Sequence, residues 1–316
     1  MSERVVVGTR GSKLALAQAE KVIRDLKKAG YTVEIQVIKT SGDIMKDKPL
    51  YTFKSGAFVR TIDEALADGE IDVAVHSLKD VPVDRVEGTV ISAVLERESP
   101  HDAFISRNGE RIEDLDSGSV IGTSSLRRMA QIRRYRPDFK IKNLRGNLDT
   151  RIRKLRDGEY DGIIVAEAGL LRLGIDVIYQ RIEHFIPSAN QGIIAVATRE
   201  GEEDLVSFMN HRKTYLVAMA EREVLTQIGL GCSVPAGILA EAENGEMRLK
   251  CEILNTSGEE ILAMQKAFEF NFEEGFGKCT ASVLKNVIEE AAEFGRDIKE
   301  KLGDEIKSIE GRYHGE

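Results

Sequence analysis

The alternation of apolar and polar positions divides the chain into short apolar runs and longer stretches of helical period. Residues 4–8 form an apolar strand, followed by an amphipathic helix that begins near Ser12 and ends at Gly30. A strand over 32–39, a polar loop over 41–56, a helix over about 58–68 and a strand over 71–75 come next. The order then returns: strand 119–123, helix 125–135, strand 140–145, helix 148–157, strand 162–166. From about residue 215 the pattern changes. A helix over 216–227 leads to strands over about 235–241, 247–254 and 262–270, and a last helix runs from about 274 to 301.

The return is also written in the residues. VVVGTRGSKLALAQ (5–18) and SVIGTSSLRRMAQ (119–131) share an apolar strand, Gly-Thr, a serine and a helix start. LADGEIDVAVH (66–76) and LRDGEYDGIIV (155–165) match more closely, with Gly69 and Gly158 placed as helix C-terminal glycines. These signs predict an α/β protein of two similar doubly wound lobes, each a parallel sheet with helices on both faces. A small C-terminal α+β domain with a three-stranded antiparallel sheet completes it. The predicted boundaries are 1–96 with 195–214 for the first lobe, 97–194 for the second and 215–316 for the third domain. Ligands of such sheets bind beyond the carboxyl ends of strands, where GTRGS, HSLKD, GTSSLRR, LRGN and AEAG all fall.

Composition narrows the function classes. At 316 residues the chain is long enough for several cores, and no apolar run approaches the roughly 20 residues of a membrane span. The start, MSERVVVGTRGSK, lacks an apolar signal core, so the expected setting is cytoplasmic, without membrane partners and without disulfides. The net charge of −8 argues against nucleic acid as a partner. The charge is uneven, however. Twelve lysines and arginines between Arg127 and Arg156 are opposed only by Asp138 and Asp149, which suits a polyanionic ligand.

Three cysteines remain to be placed. None belongs to a metal-ligand pair, so no metal site is expected. Cys251 alternates with Met247, Leu249 and Ile253 on a buried strand face, and Cys279 shares a helical face with Val283 and Val287. Cys232, in GLGCSVPAG (229–237), sits instead on a glycine turn that presents its sulfur. Arg127 and Arg128 follow Ser124 and Ser125 in the first turn of a helix, where the dipole opposes a cation unless an anion docks. Arg10 with Ser12 repeats the arrangement in the first lobe, and Arg145 leaves a strand end in LRGN. Asp80, in HSLKDVPV beside Lys79, is the acid that stands out; among arginines it stays ionised and can stabilise a cation or move a proton. His76 reads as structural. A bilobal anion-binding protein without covalent chemistry accounts for the lobes and the arginines. An enzyme that tethers an anionic ligand through sulfur accounts for Cys232 as well.

TRGSKLALAQ, TSGD, HSLKDVP, GTSSLRR, LRGN followed by TR, AEAGLLRLG, PSANQG and GCSVPAG together resemble the porphobilinogen deaminase, or hydroxymethylbilane synthase, family almost end to end. The resemblance implies lobes like those of type II periplasmic binding proteins and a monomeric transferase. Its substrate is porphobilinogen, a pyrrole with two carboxylate arms, four of which are joined into hydroxymethylbilane with loss of ammonia. It implies a dipyrromethane cofactor bound by thioether to Cys232, with Lys79, Arg127, Arg128, Arg145, Ser125 and Asp43 also binding that cofactor. Arg10, Ser12, Arg145, Arg151, Arg172 and Gln191 are implied as substrate ligands and Asp80 as the catalytic residue. Departures are Gly229-Leu230-Gly231 where a glycine pair usually precedes the cysteine, and His101 where an arginine is usual. PLYTFKSGAF, with Lys54, Ser55 and Phe58, also replaces a longer glycine- and lysine-rich lid loop.

Overall fold

A computed structural model describes residues 3–39, 56, 59–229, 234–270 and 281–303. In chain order these form β1 (Arg4–Thr9), α1 (Lys13–Lys28), β2 (Thr32–Val37), α2 (Arg60–Ala67), β3 (Val73–Ser77), β4 (Thr89–Val94), β5 (Asp102–Ser106), β6 (Val120–Gly122), α3 (Leu126–Tyr135), β7 (Lys140–Lys142), α4 (Leu148–Arg156), β8 (Gly162–Ala166), α5 (Glu167–Leu173), β9 (Gln180–Ile182), β10 (Ile194–Arg199), α6 (Arg212–Ile228), β11 (Ala236–Glu243), β12 (Glu246–Leu254), β13 (Glu260–Glu269) and α7 (Ala281–Leu302). Two compact units result: Met1–Ser99 with Ala168–Asp176 and Gln191–Tyr215, and Pro100–Glu167 with Val177–Asn190 and Leu216–Glu316. No described helix is long and apolar enough to cross a membrane.

The first unit is built on a sheet of order β2-β1-β3-β10-β4. Its central strands β3 and β10 bury both faces, as a doubly covered sheet requires, while the edge strand β2 is largely exposed. Val5, Val7, Val73, Val75, Ile194 and Val196 pack with Ala19, Val22 and Leu26 of α1. Ala74 and Ala197 point the other way, to Ile62 and Leu66 of α2 and to Ile71. Full burial of a side chain such as Leu26 contributes about 1.5–3 kcal/mol. Ser12 caps α1, its Oγ accepting the Ala15 N–H at 3.2 Å.

The second unit contains a sheet of order β7-β6-β8-β5-β9, covered by α3 through Ile132 packed on Phe104, Ile121 and Ile164. The same unit holds the antiparallel sheet β11-β12-β13. Met247, Leu249, Cys251 and Ile253 form its buried face, against Val287, Ala291, Phe294 and Ile298 of α7 and Leu216, Ala220 and Val224 of α6.

The repeat seen in the sequence is one structure used twice. Gly69 and Gly158 follow α2 and α4 with φ of 75° and 83°. Three residues after each glycine, Asp72 accepts the Val6 N–H at 2.9 Å and Asp161 the Val120 N–H at 2.8 Å. Each carboxylate thereby pins the start of a neighbouring parallel strand.

Both sheets are mixed, which corrects the prediction of parallel ones. β10 lies antiparallel between β3 and β4, and β5 lies antiparallel between β8 and β9. The parallel sense of β1, β2 and β3 is imposed by helical crossovers. β10 enters without such a crossover and is not bound by it.

At Gly237 in β11 a Cβ would stand 2.5 Å from the Ile186 carbonyl oxygen, too close without moving backbone. Ile238 N–H donates to the next carbonyl, Pro187 O, at 2.9 Å, so the strand has no room to retreat. Gly237→Ala is expected to lower stability by about 1–3 kcal/mol, as overpacking does, measured by denaturant unfolding. A variant as stable as the parent would contradict this packing.

Candidate active site

In the first unit the candidate residues gather at the carboxyl ends of β1 and β3. Arg10 and the capping Ser12 follow β1, and both are half-buried. β3 runs into a 3-10 turn, Leu78–Asp80, because Leu78 is drawn into the core and its N–H donates to Ile193 O at 3.0 Å. The turn closes with the Val81 N–H on Leu78 O at 3.1 Å. Asp80 is left exposed at its end. Lys79 is half-buried, its Nζ donating to Oε1 of the fully buried Gln191 at 3.4 Å.

Arg172 of α5 enters the same unit as a buried cation, its side chain 4% exposed. Its Nε donates to Glu98 Oε2 at 2.8 Å and its Nη2 to Gly192 O at 2.7 Å. Desolvation lowers its pKa, and the carboxylates of Glu98 and, more weakly, Asp80 pull it back up. Asp80 therefore lies within the field of a fixed positive charge.

In the second unit Ser125 caps α3, accepting the Arg128 N–H at 3.4 Å. Ser124 Oγ donates to Leu144 O at 2.8 Å and accepts from Leu144 N at 3.1 Å, coupling the start of α3 to the loop that carries Arg145. Arg145 and Arg151 are half-buried, and Arg151 Nε donates to Gly146 O at 2.8 Å.

Arg127 and Arg128 are placed differently from the surface cations their position suggests. Both are buried, and both grip Asp102 of β5, which is itself 1% exposed. Arg128 donates to Asp102 Oδ1 from Nε at 3.0 Å and from Nη2 at 2.7 Å, and Arg127 Nη2 donates to Oδ2 at 2.8 Å. Arg127 further donates from Nε to Ser188 Oγ at 3.1 Å. Its Nη1 donates to Gln131 Oε1 at 2.7 Å and to Ile186 O at 3.0 Å. Four of its five N–H groups are thus committed inside the protein. Burial lowers the Arg127 pKa, with Asp102 and Glu252 opposing the fall and Arg128 adding to it. Gln131 extends the network, donating from Nε2 to Glu252 Oε2 on β12 at 3.0 Å.

The sequence reading missed Asp102, Glu98, Gln131 and Glu252. The available signal was an acid opening the apolar run DAFIS, since a carboxylate there needs a partner. Asp43 and Cys232 lie outside the described residues, as do Lys54, Ser55, Phe58 and Cys279. Cys251 is buried, and desolvation, with Glu252 nearby, pushes its thiol up to about 12, so it stays protonated and inert.

These are the fold and strand-end chemistry of an α/β protein that handles a carboxylate-bearing small molecule. Residues 5–207 match the family model described as "Porphobilinogen deaminase, dipyromethane cofactor binding domain", and residues 215–304 match "Porphobilinogen deaminase, C-terminal domain". The chain belongs to the porphobilinogen deaminase family. It is 57% identical to the "Probable porphobilinogen deaminase" of Archaeoglobus fulgidus, over 95% of this chain and 99% of the relative. It is 43% identical to the "Porphobilinogen deaminase" of Syntrophomonas wolfei, over 80% and 86%. Among solved structures it is similar to a methionine binding protein, at 16% identity and a TM-score of 0.42, over 67% of this chain and 90% of the other.

The buried carboxylate gives a test that needs no ligand. Asp102→Asn removes the charge that two buried guanidiniums share. Breaking a buried pair from one side typically costs about 3–5 kcal/mol, and a loss of that size is expected in denaturant unfolding. A loss under about 1 kcal/mol, the scale of an exposed pair, would contradict the arrangement.

Proposed function

We propose that Cys232 anchors the dipyrromethane cofactor and that Asp80 acts on the reacting pyrroles. The chain is a transferase of tetrapyrrole biosynthesis, a hydroxymethylbilane synthase. It joins four porphobilinogen molecules head to tail with release of ammonia and releases the linear tetrapyrrole by hydrolysis.

The donor set suits a cofactor made of two porphobilinogen units, which brings four carboxylates. Arg10 and Lys79 follow strand ends of the first unit; in the second, Arg145 lies on the loop after β7 and Arg151 on α4, and all are only partly buried. When bound, dipyrromethane supplies the terminal pyrrole to which the first substrate is joined. On this reading Lys79, Arg145, Ser125 and Asp43 hold the cofactor, and Arg10, Ser12, Arg145, Arg151, Arg172 and Gln191 hold substrate carboxylates. Arg127 and Arg128 act from below, through their charge and by fixing the start of α3; Arg127 has one N–H left to offer a ligand.

The observation that carries the reading is Asp80 itself. An exposed carboxylate on a turn fixed by buried Leu78 is poised to accept pyrrole N–H groups. Loss of the amine leaves a cationic pyrrole, and a fixed anion against its N–H groups stabilises that charge as it develops. Cys232 forms the attachment and takes no part in the condensation steps.

Intact-protein mass spectrometry is expected to show the chain plus one dipyrromethane, mapping to residues 229–237. An active preparation with unmodified Cys232 would refute the anchor. For Asp80, the rate of porphobilinogen consumption by holo-protein decides. Asp80→Asn keeps the shape and removes the charge, and turnover is expected to fall by about 10²–10³, with Asp80→Glu retaining more. Wild-type turnover in Asp80→Asn would reduce Asp80 to a turn residue.

A further inference from the structure

The loop that carries Lys79 and Asp80 leaves the core at His76 and returns to it at Arg85. Both flanking side chains turn inward to one carboxylate, that of Asp63 on α2. His76 Nε2 shares a hydrogen bond with Asp63 Oδ1 at 2.8 Å, and Arg85 Nη2 pairs with Oδ2 at 2.9 Å. The Asp63, His76 and Arg85 side chains are 2%, 3% and 9% exposed, so none of them faces a ligand from solvent. Arg85 also donates to Thr89 Oγ1, from Nε at 3.4 Å and Nη2 at 3.3 Å, where β4 begins. Desolvation lowers the Arg85 pKa and Asp63 opposes the fall.

The condensation reaction uses none of these three groups directly, yet a buried charge without a partner is costly. Their arrangement makes sense as a clamp. Between its two ends the loop is fastened at its front by the Gln18 Nε2 bond to Ser77 Oγ, at 2.7 Å, and by the Leu78 N–H on Ile193 O. Asp63 adds a tie that joins the front of the loop to its back.

We propose that Asp63 is a positioning residue for the reaction: its carboxylate fastens both ends of the 76–85 loop to α2 and so fixes where Asp80 stands. The proposal rests on the catalytic reading of Asp80 given above. Displacing a reacting group by about 1 Å costs on the order of 10²-fold in rate, so a slack loop is read in turnover more than in substrate affinity.

The test compares holo-proteins of Asp63→Asn, Asp80→Asn and the double variant. Turnover is expressed per covalently bound dipyrromethane, which removes any loss of folded protein from the rate. Asp63→Asn is expected to lower kcat by about 10- to 100-fold with KM changed less than about threefold. In the double variant the losses are expected not to add, because no charge remains at position 80 to be misplaced. If Asp63→Asn lowers the melting temperature but keeps wild-type kcat per site, the role is structural and the proposal fails. Additive losses overturn it too. Should Asp63→Asn yield no holo-protein, His76→Leu removes one tie only. A several-fold fall in its kcat supports the clamp, and an unchanged kcat refutes it. Wild-type turnover in Asp80→Asn would overturn the catalytic reading and this proposal with it. A slow Asp80→Asn beside a normal Asp63→Asn overturns the clamp alone.

Discussion

A carboxylate taken out of water must be met by cations and by donors to its remaining lone pairs, and Asp102 shows how much structure that requirement organises. Arg128 closes on one of its oxygens and Arg127 on the other. Arg127 then gives three further hydrogens to Gln131, Ile186 and Ser188. Gln131 passes the link to Glu252 of β12, and Arg134 pairs with Glu252 and Glu260. One buried acid thereby ties β5, the start of α3, the 186–188 segment and the antiparallel sheet into a single polar network. At its buried members, Asp102, Arg127, Arg128 and Gln131, removing one group leaves another buried without its partner.

The first unit applies the same constraint in different places. Glu98 receives both Arg172 and Lys21. Asp72 receives the Val6 N–H together with the Arg199 guanidinium. Glu221, fully buried on α6 in the second unit, accepts the backbone N–H groups of Asn190 and Ala240, and Asn190 stands at a φ of 62° directly before Gln191. Each acid fastens a segment that local hydrogen bonding leaves loose. The strand-end loops are therefore held from beneath by charge pairs, while the strands are held by ordinary burial of Val, Ile and Leu.

Much of the fold was legible because its signals are local. Ser12 and Ser125 were recognisable as helix starts, Gly69 and Gly158 as helix ends, and the 247–253 alternation as a half-buried strand. The repeated L-x-D-G-E-x-D marks the two places where a glycine-ended helix leads through an aspartate into a strand. What escaped was pairing at a distance. Asp102 stands 25 and 26 positions from its arginines and Glu98 stands 74 from Arg172. A charge in an apolar run announces that a partner exists without saying which. β10 was illegible for a related reason. Buried on both faces, it shows no alternation, and its antiparallel place between β3 and β4 depends on strands about 100 residues away.

The cations now divide into two populations, and the division bears on how a ligand that gains carboxylates is handled. Arg127 and Arg128 are buried and share the one carboxylate of Asp102, and Arg172 is buried against Glu98. Arg10, Lys79 and Arg145 are half-buried on strand-end loops, and Arg151 is half-buried on α4. Bringing a ligand carboxylate to Arg127 or Arg128 means competing with Asp102 in a dry site, whereas at Arg172 it means sharing the guanidinium with the less buried Glu98. Bringing it to the second group exchanges water for carboxylate at modest cost, and the exchange can be repeated as the ligand lengthens. The buried pairs then act as the fixed frame. Within each unit they fix the backbone from which the half-buried cations project, so those cations are placed before any ligand arrives. An acidic protein with a net charge of −8 can in this way hold a polyanion, because the charge that matters is placed at strand ends and held there from within.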